Sequence, residues 1–556
     1  MLASHPDIAV EMRDATRLPA GERRLACVNN PVYRHFSGQI AAQMAARYGQ
    51  NPAVIGWQID NELIGPEYWN LFECHCPSCR FLFREWLKKR YASLDELNRA
   101  WFLDFWSGSF GDWGEVGTPR CHRAVKGHVI DFFRFYSDSQ VEYIKLQYAV
   151  LKGAVSKTQF VSHNSTGIFD RGINHRDYAR ALDVTGWDAY CGAASAGHCM
   201  EHPFTAAGHD LFRSALMKPF WVFETNTDDV LTAAQIAAMR AHGAKGVIFW
   251  HWRRHRGNVE QTGAALANYA GKPNKKRLAI IRDAAERLRC LPDLPAQFVK
   301  RPAAIFNCPD NVRAVHREAK RPIPRNDAFH LDAFARGYFP AWRHGVGMDV
   351  LQPGDDPAGY KLAVLPGLHC LDAKHADALA NFVRNGGTLL FIAKTAHCDT
   401  HAVFYPTPGG PLAELFGFHF EDDEPNRPPC VVRMNGGADV YPVENPYEVV
   451  VNSSAEVLGV FEGGEADGRP AVLRNTFGAG QIFYIAARNN GLICEIMKTA
   501  FTAAGIAWHE NPYEDVAVIP DLSDASKIWL VNHGNEPRNL LGCEVGARGF
   551  AVASFT

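Results

Sequence analysis

The sequence predicts an α/β chain in three consecutive parts, and three features carry that reading. Residues 1–290 alternate apolar, strand-like runs with helix-like ones. The stretch "CLPDLPAQFVKRP" (290–302) interrupts this pattern with three prolines and reads as a linker. A second strand–helix region follows over 303–508, and 509–556 then turns to short strands, as in a small β domain.

A chain of 556 residues is too long for one core. With 47% hydrophobic and 21% charged residues it has the composition of a globular protein. A net charge of −2 lacks the footprint expected of a nucleic-acid binder. The basic runs "RRHR" (253–256) and "KPNKKR" (272–277) are short enough to be a loop and the start of a solvated helix face. No run of 18 apolar residues predicts a membrane span. The opening "MLASHPDIAVEMRDATRLPAGERR" has no apolar leader, so the fourteen cysteines are expected to be reduced or metal-bound in a cytoplasmic setting.

In "NPAVIGWQIDNELIG" (51–65), Val54, Ile55, Trp57 and Ile59 predict a strand that stops at Asp60, Asn61 and Glu62. A charge is costly in a core, so a carboxylate there points into a mouth. The competing reading, a helix N-cap, is weakened by the Leu-Ile-Gly-Pro that follows. Phe81, Leu82, Trp86 and Leu87 then fall at helical spacing, Ser93 with Glu96 reads as a capping box, and 128–155 is a long helical pattern.

Further strands are predicted at "QFVSHN" (159–164), "LDVTGWDAY" (182–190), "PFWVFET" (219–225) and "KGVIFWHWR" (245–253). Each ends in polar residues: Asn61 and Glu62, His163 and Asn164, Asp188 and Tyr190, Glu224, His251 and Arg253. Polar groups at the ends of successive parallel strands are the layout of a (β/α)₈ (TIM) barrel face. Only five such strands are legible, and residues 1–30 read as a loop. Either the sheet is not a closed barrel, or the chain lacks the barrel's first part.

In the second region "AAIFNC", "KLAVLPG" and "GQIFYIA" read as strands, and "HADALANFVRNGGTLLFIA" as a helix ended by Gly386-Gly387 and then a strand. This predicts a short, parallel, doubly wound sheet without a nucleotide-binding motif. "DVAVI" and "KIWLVNH" are strands of the last part.

Two constellations carry chemistry. Glu62 and Glu224 end the first and fourth legible strands, and paired carboxylates across a mouth can cleave a glycosidic bond. Carboxylates so placed also serve metals and proton abstraction. Asn61 can hold a sugar hydroxyl. Trp57, Trp187, Trp250 and Trp252 suit carbohydrate faces, with barrel packing as the alternative for each. "CHCPSC" sets Cys74, Cys76 and Cys79 at a spacing that shares one ion, and structural zinc takes a fourth ligand. Cys27 is the first candidate for it, with His75 and Cys121 behind.

The stretches "NPAVIGWQIDNE", "CHCPSCRFLFREWLKKRYASLDELNRAWFLDFWSGSFGDWGEV", "ERRLACVNNPVYR", "LDVTGWDAY" and "FWVFET" resemble the β-galactosidases of glycoside hydrolase family 42. The resemblance implies a catalytic barrel over 1–290, a flavodoxin-like trimerisation domain over 303–508 and a small β domain over 509–556. It implies a retaining hydrolase of β-galactosides, a homotrimer and a structural Zn2+ on Cys27, Cys74, Cys76 and Cys79. Glu62 matches the acid/base and Glu224 the nucleophile, so their carboxyl groups are expected about 5–5.5 Å apart. Arg23, Asn61, Tyr190 and Glu260 match substrate-binding residues.

Three departures stand beside this. Thr232 falls where the family has a Trp, Gly263 where it has a His, and the family's first three barrel strands have no counterpart. The expectation is therefore an N-terminally truncated member, with a five-stranded open sheet, Glu62 near one edge, and weak activity. A non-catalytic carbohydrate-binding or assembly protein derived from the enzyme, or an exo-glycosidase on arabinopyranosides, are the alternatives.

Overall fold

The computed structural model describes residues 2–63, 73–120, 124–167, 172–191, 201–227, 231–257, 260–315, 329–407, 409–421, 427–443, 445, 447–452 and 454–554. The chain divides into two compact units. The first comprises Met1–Gly186 with Pro309–Ile323 and Asp399–Phe404, the second Trp187–Cys308 with Pro324–Cys398 and Tyr405–Thr556.

In the first unit, residues 2–30 form a loop that contains the 3-10 turn Pro6–Ile8 and single bridges at Ala9–Ala26 and Glu11–Arg17. Asn30 then starts the helix Pro31–Tyr48, its side chain accepting from the N–H groups of Val32 and Tyr33 while proline occupies the first position. Strand β1 (Gly56–Gln58) pairs in parallel with β2 (Phe160–Ser162), with Trp57 opposite Val161. Gly56 permits this pairing, because a Cβ there would lie 2.5 Å from the Phe160 ring. The helix Lys126–Lys152 sets Val141, Tyr143, Ile144 and Leu151 against Ile59, Leu63, Val161 and Tyr178. Each fully buried apolar side chain of this size contributes about 1.5–3 kcal/mol.

Two local expectations need correction. In the helix Pro77–Arg90 the buried row is Cys79, Phe83 and Leu87, and Phe81 is 61% exposed. The apolar run 81–83 offers two candidate faces, and the cysteines fix which one turns inward. Ser93 caps the helix Leu94–Ala100 by accepting from the Glu96 N–H, but Glu96 reaches back to the N–H of Ala92 rather than Ser93.

Asp131, fully buried, binds the unit together. It accepts from the Tyr91 hydroxyl, from Trp101 Nε1 at 2.9 Å and from Arg134 Nη1 at 2.8 Å. Burial opposes its charge, yet Arg134 and its other partners hold its carboxyl below the usual range. Arg134 also grips Asp310 with Nε at 3.1 Å and Nη2 at 2.7 Å, and donates to the Thr400 carbonyl. One guanidinium thus ties the segments around 310 and 400 into this unit.

The second unit holds β3 (Gly186–Ala189, whose first residue ends the first unit), β4 (Phe220–Thr225) and β5 (Ala244–Val247), hydrogen-bonded in that order. All five strands expected before residue 290 therefore form, as one ladder of two and one of three. Helices Glu201–Leu216 and Ala233–Ala241 connect the second ladder, and no helix or strand lies between Arg289 and Ala303.

Beyond the linker, β6 (Ala303–Phe306), β7 (Met348–Leu351), β8 (Leu362–Pro366), β9 (Thr388–Ile392) and β16 (Gly480–Ile485) are parallel neighbours in the order β16-β9-β8-β6-β7. This is the doubly wound order of flavodoxin-like sheets. Strand β10 (Phe418–Phe420) pairs separately with β13 (Val450–Asn452). The expectation of a short, all-parallel sheet is corrected: β11 (Val431–Met434), β12 (Val440–Pro442), β14 (Glu456–Glu462) and β15 (Pro470–Phe477) extend it antiparallel, to nine strands among the described residues. Their mixed polar and apolar residues suit a half-solvated sheet and lack the continuous apolar runs of buried parallel strands. The chain ends in an antiparallel sheet of β17 (Val516–Pro520), β18 (Lys527–Asn532) and β21 (Phe550–Ser554), with a hairpin of β19 (Arg538–Leu540) and β20 (Cys543–Val545).

A buried cluster locks this unit. Arg213 pairs with Asp210 at 3.1 Å and Asp349 at 2.7 Å, and Asp210 also accepts from the Tyr338 hydroxyl at 2.6 Å. No described helix is long and apolar enough to cross a membrane.

Burial lowers the pKa values of three histidines, His175 and His209 to about 3 and His202 to about 4. Below about pH 6.5 the unfolded chain protonates them while the folded chain does not, so each removes about 1.4 kcal/mol of stability per pH unit of acidification. The melting temperature is expected to fall between pH 6.5 and 5 in scanning calorimetry. A constant or rising value over that window would contradict these buried, neutral imidazoles.

Candidate active site

The end of β1 turns sharply. Asp60 and Glu62 adopt left-handed φ values of +55° and +46°, which cost non-glycine residues about 1–3 kcal/mol each. The end of β2 offsets that cost. Asn164 Oδ1 accepts from the Glu62 N–H at 3.0 Å and from Gln58 Nε2 at 2.9 Å, while its amide donates to Asn61 Oδ1 at 3.0 Å. His163 Nε2 accepts from the Leu63 N–H at 3.1 Å and Nδ1 donates to the Ile59 carbonyl at 2.7 Å, a pattern only the neutral ring can make. Burial also lowers its pKa.

The Glu62 side chain is 7% exposed, and its Oε2 accepts from Arg23 at 2.9 Å and Arg24 at 2.7 Å. Arg23 and Asn61, both anticipated, are therefore gathered at Glu62. Arg24 is the addition: its side chain is 15% exposed against 54% for Arg23, so it is the more buried partner. The adjacent Arg23-Arg24 pair in the sequence carries no sign of which guanidinium reaches the carboxylate more deeply. No helix begins at Asn61 or Glu62, as a cap at Asp60 or Asn61 would require, and Glu62 is left-handed; residues 64–72 lie outside the described residues.

In the second unit, Glu224 stands on β4, partly exposed, and its Oε2 accepts from the Tyr190 hydroxyl at 2.6 Å. Tyr190 thus orients the carboxylate, and Asp188 from β3 lies within 4.8 Å of it. Sequence reasoning marked Asp188 as a strand-end residue without giving it a role. Trp187 is buried in packing against Phe212 and His209, whereas Trp250 and Trp252 are 42% and 61% exposed. Thr232 makes a capping box with Gln235 at the start of the helix Ala233–Ala241, so its hydroxyl serves the helix. Glu260 lies beside His251 and His255, with candidate ligand atoms within 4.8 Å of one another.

The cysteines converge in the first unit. Cys27, Cys74, Cys76 and Cys79 are all at most 2% exposed, with sulfurs within 4.8 Å of one another. Cys27 Sγ lies 3.5 Å from Cys79 Sγ and 3.7 Å from Cys76 Sγ. A tetrahedral Zn2+ with bonds of about 2.3 Å spaces its sulfurs roughly 3.8 Å apart, so the donor set fits zinc. The N–H groups of Glu11 and Asn29 point at Cys74 and Cys27 sulfurs, as second-sphere donors to thiolates do. Contacts from Cys27, Cys74 and Cys79 pull the Cys76 pKa well below the usual thiol range, while contact with Cys74 foremost pushes Cys27 up and contact with Cys27 foremost pushes Cys79 up, burial adding to both. His75 spends Nδ1 on the Thr118 hydroxyl and stacks on Phe132, which leaves Cys27 as the fourth member. Cys121 lies outside the described residues.

A family model described as β-galactosidase (glycoside hydrolase family 42) matches residues 1–291, and one described as β-galactosidase trimerisation domain matches 309–506. The chain is 32% identical to the β-galactosidase BglY of Alicyclobacillus acidocaldarius over 97% of its own length and 80% of that protein's. It is also 32% identical to the β-galactosidase Bga of Halorubrum lacusprofundi, over 93% of this chain and 78% of that protein. The solved structure of a β-galactosidase from Halorubrum lacusprofundi superimposes with a TM-score of 0.89 at 27% identity, covering 100% of this chain and 87% of that one. The chain combines a TIM-barrel-type catalytic domain with a trimerisation domain, and it belongs to the β-galactosidases of glycoside hydrolase family 42, retaining glycoside hydrolases.

Proposed function

We propose that this chain hydrolyses terminal β-D-galactosides with Glu224 as nucleophile and Glu62 as acid/base. The observation that carries the reading is the 2.6 Å hydrogen bond by which Tyr190 orients the Glu224 carboxylate at a strand end. In the first step Glu224 attacks the anomeric carbon while Glu62 protonates the departing oxygen; in the second, Glu62 takes a proton from the water that releases the sugar. Asn61, Arg23 and Glu260 hold sugar hydroxyls. The absence of a side chain at Gly263 and the engagement of Thr232 in a helix cap favour, as a second reading, a pyranoside related to galactose, such as an arabinopyranoside. Relative turnover of nitrophenyl β-galactoside, β-fucoside and α-arabinopyranoside decides between them.

The cysteine cluster is read as a structural Zn2+ site. Four ligands close the tetrahedron, so the ion would supply folding energy and not chemistry. The trimerisation domain supports assembly as a homotrimer, which sedimentation can weigh. Four thiols this close suit a reducing compartment, and the cytoplasm is the setting proposed.

Glu62→Gln is expected to lower kcat/KM by roughly 10²–10⁴ on galactosides with poor leaving groups, but far less on dinitrophenyl galactoside, which departs without a proton. Glu224→Gln should abolish turnover of both. Equal losses on the two substrates in Glu62→Gln would remove the acid/base assignment.

Elemental analysis should find one tightly held zinc per chain after dialysis against a weak chelator. Cys76→Ser should lose the metal and lower the melting temperature. Full stability of a zinc-free chain would contradict the structural role.

A further inference from the structure

The segment after β5 gathers three metal-binding side chains that the hydrolytic reading does not need together. His251 is 8% exposed, and neither of its ring nitrogens has a protein hydrogen-bond partner among the described residues. Buried nitrogens are normally hydrogen-bonded or metal-bound. The His255 ring lies 4.6 Å from that of His251, centroid to centroid, at 57°. One atom each of His251, His255 and Glu260 falls within a 4.8 Å set.

The backbone around His251 is held in place. Its carbonyl accepts from Leu266 N at 3.0 Å, the Trp252 carbonyl from Ala267 N at 2.6 Å, and the Ala267 carbonyl from Arg254 N at 3.1 Å. His255 is exposed and Glu260 partly so, which leaves both free to close the remaining distance. A tetrahedral ion with Zn–N bonds of about 2.0–2.1 Å spaces its ligands roughly 3.3 Å apart.

The neighbouring cations are engaged elsewhere. Arg253 donates to the Tyr269 carbonyl at 2.9 and 3.2 Å, and the Arg254 guanidinium lies over the Tyr269 ring at 5.5 Å.

We propose that His251, His255 and Glu260 form a second metal site, separate from the cysteine cluster, which takes a divalent cation of the zinc class. Two imidazoles and one carboxylate are a donor set for such ions, and three protein ligands leave one position to water. An ion there withdraws Glu260 from a sugar hydroxyl, so zinc inhibits hydrolysis competitively. This consequence alone rests on the sugar-binding reading of Glu260.

The test is a Co2+ titration of the whole protein with its tightly held metal in place, followed by visible absorption. One equivalent should bind with d–d bands and no thiolate charge-transfer band, and both His255→Ala and Glu260→Gln should weaken it at least tenfold. Binding that is unchanged in His255→Ala, at an unchanged melting temperature, overturns the proposal, and so does a spectrum showing only thiolate ligation. In parallel, Zn2+ should raise KM in the wild type and not in His255→Ala. Intact Co2+ binding with no effect of zinc on KM supports the metal site and counts against the role of Glu260 in sugar binding.

Discussion

Two backbone N–H groups, those of Glu62 and Leu63, decide where the first carboxylate of the site stands. Both are taken by side chains at the end of the neighbouring strand, Asn164 and His163. The parallel register of Trp57 with Val161 brings those side chains within reach, and Gly56 makes the register possible. With the backbone so held, a left-handed φ at Glu62 is sustained, and the carboxylate meets Arg23 and Arg24. A shift of one residue in this pairing would turn every side chain of the short strand to the other face.

Charge is managed the same way throughout. Asp131, Asp210 and Asp349 are buried, and each carries arginine and hydroxyl or indole partners that satisfy it. Such pairs add little net stability against an apolar equivalent, but losing one partner leaves a buried charge uncompensated. In each unit they join segments far apart in sequence: Arg134 to Asp310 in the first, Arg213 to Asp349 in the second. The four cysteines pose a related problem, since adjacent buried thiolates repel unless a cation sits among them.

What was legible in the sequence were features carried by local runs. The strands that lead to Glu62 and carry Glu224, the linker before Ala303, and the Gly386 turn, with its φ of +101°, all follow from neighbours in sequence. The cysteine spacing was legible for the same reason, and Cys27 followed from its place in the preceding loop, which the resemblance then matched. Features set by distant partners were not legible. Nothing near residue 24 says that its guanidinium reaches Glu62, and nothing in Thr232 alone separates a helix cap from a ligand contact. The antiparallel strands from Val431 to Phe477 lack a continuous apolar run because their pairing, not their composition, fixes them. Phe81 was misplaced because helical spacing allowed two faces, and packing chose the one containing Phe83.

The central claim is that Glu224 forms the covalent bond to the sugar and Glu62 moves the proton. Its most direct test is inactivation with a deoxyfluoro galactoside bearing a good leaving group, which slows release of the glycosyl-enzyme, followed by mass mapping of the labelled peptide. The account predicts one label per chain, on Glu224. A label on Glu62 or any other residue, or inactivation without a covalent adduct, would contradict it.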